Sequence, residues 1–311
     1  MPPRLRGFRV ERLLGAGGES TVWLARPRRR GPAVALKVVP RRLGDALPEA
    51  QALAALDHPN LIKVRAVHRR RHASVLVLDL AAGGTLADLL SRRQRLPAGE
   101  VVAVLAPIAA ALSAVHAAGL VHGDVSPGNV LFGEDGLPLL SDLGSAYWLD
   151  DDAPLSLPAP GFADPLAEHG LVTGQAGDVF SLGAIGFFAL TGTVVGSLPS
   201  LDANSVNDFA TACADALSAV PPELSRLVLA ALQVEPGKRP RPVELAAALR
   251  HTGPMSGVDL QAGRHTALVP LPVITRGARV PIRAAEARSR SRRRLHWRRA
   301  ARDMPAPRPS R

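Results

Sequence analysis

Five polar residues, each set in an apolar or glycine-rich segment, follow one another along this chain: Lys37, Glu49, Asp124, Asn129 and Asp142. Lys37 ends the run Val34-Ala35-Leu36-Lys37. Asp124 and Asn129 lie within His122-Gly123-Asp124-Val125-Ser126-Pro127-Gly128-Asn129, and Asp142 opens Asp142-Leu143-Gly144. Upstream stands Gly15-Ala16-Gly17-Gly18-Glu19-Ser20-Thr21-Val22. Glycines in such a stretch let backbone N–H groups approach an anion with no side chain in the way. Singly, each segment reads as an ordinary turn, because Asp-Gly and Asn turns are common. Three such turns in this order and at these separations are improbable by chance, so it is the ordered set that constrains the fold.

Around these segments the hydrophobic pattern changes once. Up to residue 80 it is that of strands: 10–14 and 21–25 flank the glycine-rich turn, and 33–39 and 75–80 are β-branched runs. Between the last two, Pro48 can open a helix, since its missing N–H is not needed there. On that helix Glu49, Leu53 and Leu56 share a face. A carboxylate on an apolar face needs a partner, and Lys37 is the only lysine before Lys63. After Gly83-Gly84 the pattern turns helical. Thr85 caps a short helix at 86–90, long apolar helices follow at 100–118 and 178–190, and Gly119 and Gly192 stand at their C-terminal ends. Two amphipathic segments, 221–232 and 243–249, complete the series.

The ordered motifs resemble the signature of the bacterial serine/threonine protein kinase family. The resemblance implies an α+β, bilobed protein-kinase-like fold. A β-rich N-lobe with one helix would cover residues 1–80 and a mostly helical C-lobe 81–250, followed by a disordered, Pro/Arg-rich tail over 251–311. It implies ATP and Mg²⁺ as cofactors. The nucleotide would be bounded by Leu14, Gly15, Ala16, Gly17, Val22, Ala35 and Leu131, with the backbone of Asp79 and Ala81 at the adenine edge behind Leu78. Lys37 would hold phosphates and pair with Glu49, Asp124 would orient the acceptor hydroxyl, and Asn129 and Asp142 would bind the metal. Asp178 resembles the buried aspartate that braces the catalytic loop, and Arg239 the late arginine of the large lobe.

Several positions depart from the family pattern. Ser20 replaces the third glycine of the phosphate loop. Gly123 replaces the arginine that precedes the catalytic aspartate and binds a phosphorylated activation loop. Residues 145–160 hold no threonine, and only Ser145, Tyr147 and Ser156 could accept a phosphate there. Activity is therefore expected not to depend on phosphorylation of that loop. Ser126 and Ala159 stand in place of a lysine and the threonine that bonds it. Leu166 occupies the position of the glutamate that pairs with the late arginine, leaving Glu168 as a substitute partner for Arg239. These departures keep two rivals open: a pseudokinase that binds nucleotide as a signalling scaffold, and a kinase-fold phosphotransferase acting on a small molecule.

The formal charge of +11 is concentrated at one end. Thirteen arginines between Arg276 and Arg311 face only Glu286 and Asp303, whereas the first 275 residues carry 25 basic and 25 acidic side chains. Arginine-rich low-complexity stretches do not fold alone, and the tail could contact an anionic surface (nucleic acid, lipid or an acidic protein) without specificity. The polar, basic N-terminus has no apolar core of a secretory signal. The apolar stretches at 101–121 and 179–190 read as buried helices rather than membrane spans. Cys213 is the single cysteine and, among alanines, reads as a structural buried thiol. A cytoplasmic location is the expectation from these features.

Overall fold

The structure, a computed structural model, describes residues 2–17, 20–40, 56–142, 146–148, 159–168, 173–197 and 206–262, all within one compact unit, Met1–Arg276. The expected helix carrying Glu49, the activation-loop residues Ser145 and Ser156, and the arginine-rich tail lie outside the described residues.

Five strands form the N-lobe sheet: β1 (Phe8–Gly17), β2 (Ser20–Pro27), β3 (Val34–Pro40), β4 (Val64–Arg69) and β5 (Ala73–Asp79). They are antiparallel in the order β1-β2-β3-β5-β4. Alternation puts Ala25, Leu36, Val75 and Val77 on the inner face, where they join Leu5 in a small core. β4 was not foreseen, because Val64-Arg65-Ala66-Val67-His68-Arg69 mixes charge into its apolar alternation.

The C-lobe begins with β6 (Gly84–Thr85) and α1 (Leu86–Arg93). Thr85 caps α1 as expected: its hydroxyl accepts the Asp88 N–H at 2.9 Å and Asp88 returns the bond to the Thr85 N–H at 3.3 Å. Next come α2 (Ala98–Ala117), β7 (Leu120–Val121), β8 (Val130–Phe132), β9 (Pro138–Leu140) and β10 (Tyr147–Trp148). α3 (Pro165–Glu168), α4 (Gly174–Thr191), α5 (Val206–Ala216), α6 (Pro222–Ala231) and α7 (Pro242–Leu249) complete the described elements. α2 is long and apolar enough to cross a membrane by length and composition. Its residues Ile108, Ala109, Leu112 and Val115 are nevertheless fully buried among α4 and α7, as suits a helix apolar on every side. α4 approaches its neighbours closely at two glycines. A methyl on Gly183 would stand 2.8 Å from the Ala231 Cβ, and one on Gly186 2.7 Å from a Leu105 methyl.

Cys213 sits in this core, fully buried, and burial pushes its thiol up from 9.0 to about 12. An acid whose folded pKa is raised contributes stability below the unfolded pKa and loses it above. Stability is therefore expected to fall as pH climbs from 9 towards 12. An alkylating reagent at mildly alkaline pH should leave the native thiol untouched and modify it fully in denaturant; labelling of the folded protein at the unfolded rate would contradict this.

Candidate active site

Lys37 is placed by the alternation of β3. It faces Val22 of β2 and Leu76 of β5 across the sheet, and apolar neighbours on its strand leave it 8% exposed. An ammonium so buried needs an anion, and it finds Asp142, with which it forms a direct ion pair 105 residues away in sequence. This contact joins N-lobe to C-lobe. The expected partner Glu49 lies outside the described residues.

The loop of residues 122–129 between β7 and β8 is hung from below by Asp178 on α4. The Asp178 carboxylate, 3% exposed, accepts the His122 N–H at 2.8 Å and the Gly123 N–H at 2.9 Å, and lies 2.7 Å from His116 Nε2. Gly123 has φ +77°, a left-handed conformation that costs other residues about 1–2 kcal/mol and that glycine adopts freely. The bracing expected of Asp178 is thus present, and the glycine that replaces arginine matches the local backbone.

His122 is fully buried and stitches the loop to the segment carrying Asp142. Its Nδ1 accepts the Asp124 N–H at 3.3 Å, which leaves Nε2 to donate to the Ser141 carbonyl at 3.0 Å. Ser141 in turn bonds the Asn129 carbonyl through its N–H at 2.9 Å and its hydroxyl at 3.0 Å. Asn129 Nδ2 donates to the Asp124 carbonyl at 2.7 Å and to its carboxylate at 2.9 Å. With both amide protons engaged by oxygens of Asp124, the side-chain carbonyl of Asn129 is the atom left as a donor towards a cation. The second carboxylate oxygen of Asp124 accepts the backbone N–H of Ala159 at 3.1 Å. Where the family pattern would put a threonine hydroxyl, a main-chain donor here orients the aspartate. Asp142 has φ +59°, the kind of backbone strain that a surrounding structure must impose and that collects at functional sites. Ser126 is buried, 6% exposed.

The residues expected to face nucleotide lie on β1, β2, β3, β8 and the connection between the lobes. Leu14 falls at a bulge in β1 and is exposed. Gly15, Ala16 and Gly17 pair with Val22, Thr21 and Ser20 of β2, and a Cβ on Gly15 would meet nothing within 4 Å. Ala35 stands opposite Leu24 and Leu78, and Leu131 comes from β8 of the C-lobe. In the connection between lobes, the Asp79 N–H is taken by the Lys63 carbonyl at 3.0 Å and its carboxylate pairs with Arg65. The N–H of Ala81 has no partner among the described residues. No cluster of three or more His, Cys, Asp or Glu side chains suited to a metal occurs among them. The oxygens of Asn129 and Asp142 match an ion that keeps its water and draws few protein ligands.

Arg239 extends the sequence reading. It pairs with Asp164, both side chains being 1% exposed, a partner the sequence did not suggest; the side chain of Glu168, the partner expected, lies outside what the structure describes. Its other donors reach the carbonyls of Gln233 at 2.7 Å, Ala176 at 2.9 Å and Val234 at 3.1 Å, and its guanidinium lies 5.0 Å from the Phe180 ring centre. Sequence reasoning also passed over His116. It lies three residues before Gly119, at the end of a long apolar run in which nothing in the sequence sets it apart.

A family model described as the protein kinase domain matches residues 8–251. The chain is 32% identical over 271 residues to the serine/threonine-protein kinase PkaB of Streptomyces coelicolor, an alignment covering 80% of this chain and 63% of that protein. It is 32% identical over 249 residues to PknL of Mycobacterium tuberculosis, covering 75% and 62% of the two. To PknA of the same species it is 31% identical over 213 residues, covering 60% and 47%. The chain therefore spans between about half and just under two thirds of the length of these relatives. A match running from the first strand of the sheet to the turn beyond α7, over a lysine that bridges two lobes onto a braced Asp-Asn loop, makes the chain a member of the protein kinase family.

Proposed function

We propose that this chain moves the γ-phosphoryl group of Mg-ATP to the hydroxyl of a protein serine or threonine. The observation that carries the reading is the run of contacts that ties Lys37 to Asp142, Ser141 beside it to Asn129, and Asn129 to Asp124. Asp124, fixed on one oxygen by Asn129 and on the other by the Ala159 N–H, orients the acceptor hydroxyl for in-line attack and receives its proton. Lys37 neutralises charge on the α and β phosphates, with Glu49 as its second anion. The Gly15–Gly17 backbone closes over the phosphates, Val22, Ala35, Leu14 and Leu131 enclose the adenine, and Asp79 and Ala81 meet its edge. Asn129 and Asp142 hold Mg²⁺, whose contribution when bound is to neutralise charge on the phosphate oxygens. The protein does little covalent chemistry; it positions reactants and offsets charge.

Two features tune the reading. Asp124 is oriented by a main-chain N–H rather than by a lysine–threonine pair, which removes a cation from the γ-phosphate. That loss costs a few kcal/mol of transition-state stabilisation and gives a slow kinase. Gly123 leaves no cation to receive a phosphate from the activation loop, so Ser156→Ala and Ser145→Ala should retain wild-type turnover. A large loss in either variant would mean that phosphorylation of this loop does switch the enzyme. The reading itself is tested by offering γ-labelled Mg-ATP with a serine- and threonine-containing acceptor protein and, separately, a metabolite mixture. Label on protein supports it, label only on metabolites makes the chain a small-molecule phosphotransferase, and ATP binding without transfer makes it a pseudokinase.

A further inference from the structure

The polypeptide does not leave the C-lobe at the end of α7. Residues 252–262 turn back across the surface of the lobe to the connection between lobes, and four contacts fix their path. The Ser256 N–H donates to the Gly99 carbonyl at 3.3 Å at the start of α2. A methyl on Gly99 would meet the Ser256 hydroxyl at 2.8 Å and the Pro254 carbonyl at 3.0 Å, so the two backbones are in close contact. Arg93, at the end of α1, donates to the Asp259 carbonyl at 3.2 Å while gripping the carboxylate of Glu100 at 2.6 and 3.0 Å. The Asp259 side chain accepts the N–H groups of Gln261 and Ala262 at 2.9 and 3.0 Å, making a turn. Between these anchors Val258 and Leu260 are half-buried against the C-lobe core, whereas Met255 is 54% exposed.

The far end of the segment lies on Gly83. A methyl there would stand 2.9 Å from a Leu260 methyl, 2.7 Å from the Phe132 Cβ and 2.6 Å from the Gly133 carbonyl, and the Gly83 N–H donates to the Phe132 carbonyl at 2.8 Å. Gly83 and Gly84, the latter at φ +83°, form the most pliant dipeptide available to a chain. They follow Ala81 by two and three residues. Left alone, such a pair would let the backbone at Ala81 wander, and a hydrogen bond weakens steeply with misalignment.

We propose that residues 254–262 brace the inter-lobe connection, with Leu260 a positioning residue that holds Gly83 and thereby sets the Ala81 N–H for adenine. The inference rests on the nucleotide site described under the proposed function. The brace acts on ATP binding rather than on transfer, so its loss raises KM for ATP and leaves kcat at saturating ATP unchanged.

The test uses the full chain carrying Leu260→Asp, with the milder Leu260→Ala should the first fail to fold, and Met255→Asp as a charge placed on the exposed side of the same segment. Two quantities are measured: amide hydrogen exchange of the peptide spanning residues 79–85 without nucleotide, and the Kd of ATP. The expected result is faster exchange and a Kd raised about three- to tenfold in the Leu260 variants, with Met255→Asp like wild type. Wild-type exchange and Kd in the Leu260 variants would overturn the brace. A wild-type protein that binds no ATP would sink the nucleotide reading instead. Hinge exchange alone then decides on the brace, faster exchange upholding it and unchanged exchange removing it.

Discussion

Asp124→Asn is expected to lower phosphoryl transfer about 10²–10⁴-fold while ATP still binds. The substitution keeps the shape of the side chain but removes its charge and its capacity to take a proton. It also puts an amide NH₂ against either the Asn129 Nδ2 or the Ala159 N–H, both of which donate to the carboxylate now. One of these bonds must therefore break, and the loop loses a tie as well as a base. Lys37, Asp142 and the glycine-rich strand pair are untouched, so the thermal shift produced by ATP should persist. Transfer surviving at the wild-type rate would remove Asp124 from the chemistry. Equal loss of transfer and binding would make it a structural residue.

Arg239→Leu should be the most damaging single change to stability, costing about 3–5 kcal/mol. Leucine fills part of the volume but removes the guanidinium that lies over the Phe180 ring, and it strands the Asp164 carboxylate in a site 1% exposed. It also removes the donors that now satisfy the carbonyls of Gln233, Ala176 and Val234. Adding Asp164→Asn should recover part of the loss, because a neutral amide tolerates the site better than an unpaired charge. It can still accept the Leu166 N–H that Asp164 Oδ1 holds at 3.0 Å. Denaturant midpoints of the two single variants and the double give the coupling directly. Additive losses would show that the pair stabilises nothing beyond its separate bonds.

The parts of the fold legible in the sequence are those written in local chemistry. Thr85 and Asp88 announce the start of α1 three residues apart, Gly119 and Gly192 sit at left-handed helix ends, and unbroken apolar runs mark α2 and α4 as core helices. The loop of residues 122–129 was legible because glycine, aspartate and asparagine must stand at fixed offsets for its turn. Side-chain partners brought together from distant segments were not. Nothing within reach of Arg239 in sequence points to Asp164, 75 residues earlier, since pairing there is decided by how α3 and α4 pack. Residues 252–262 escaped for a related reason. Val258 and Leu260 are too few to make a period, and their burial follows from packing against the C-lobe core. The Ala159 donor was invisible because a main-chain N–H leaves no mark on residue type.

The brace that Asp178 gives the 122–129 loop also sets a schedule for synthesis. The N–H groups of His122 and Gly123 leave the ribosome 56 and 55 residues before the carboxylate that will accept them. At ~5–20 residues per second the interval is about 3–11 s. During it the loop has water, not protein, for a partner, and the left-handed turn at Gly123 has nothing to hold it. A nascent chain that has passed Asn129 but not yet reached Asp178 carries Lys37, Asp124 and Asn129 yet lacks the frame that aligns them. On the proposed reading, a polypeptide released before Asp178 has been added lacks the frame that phosphoryl transfer needs.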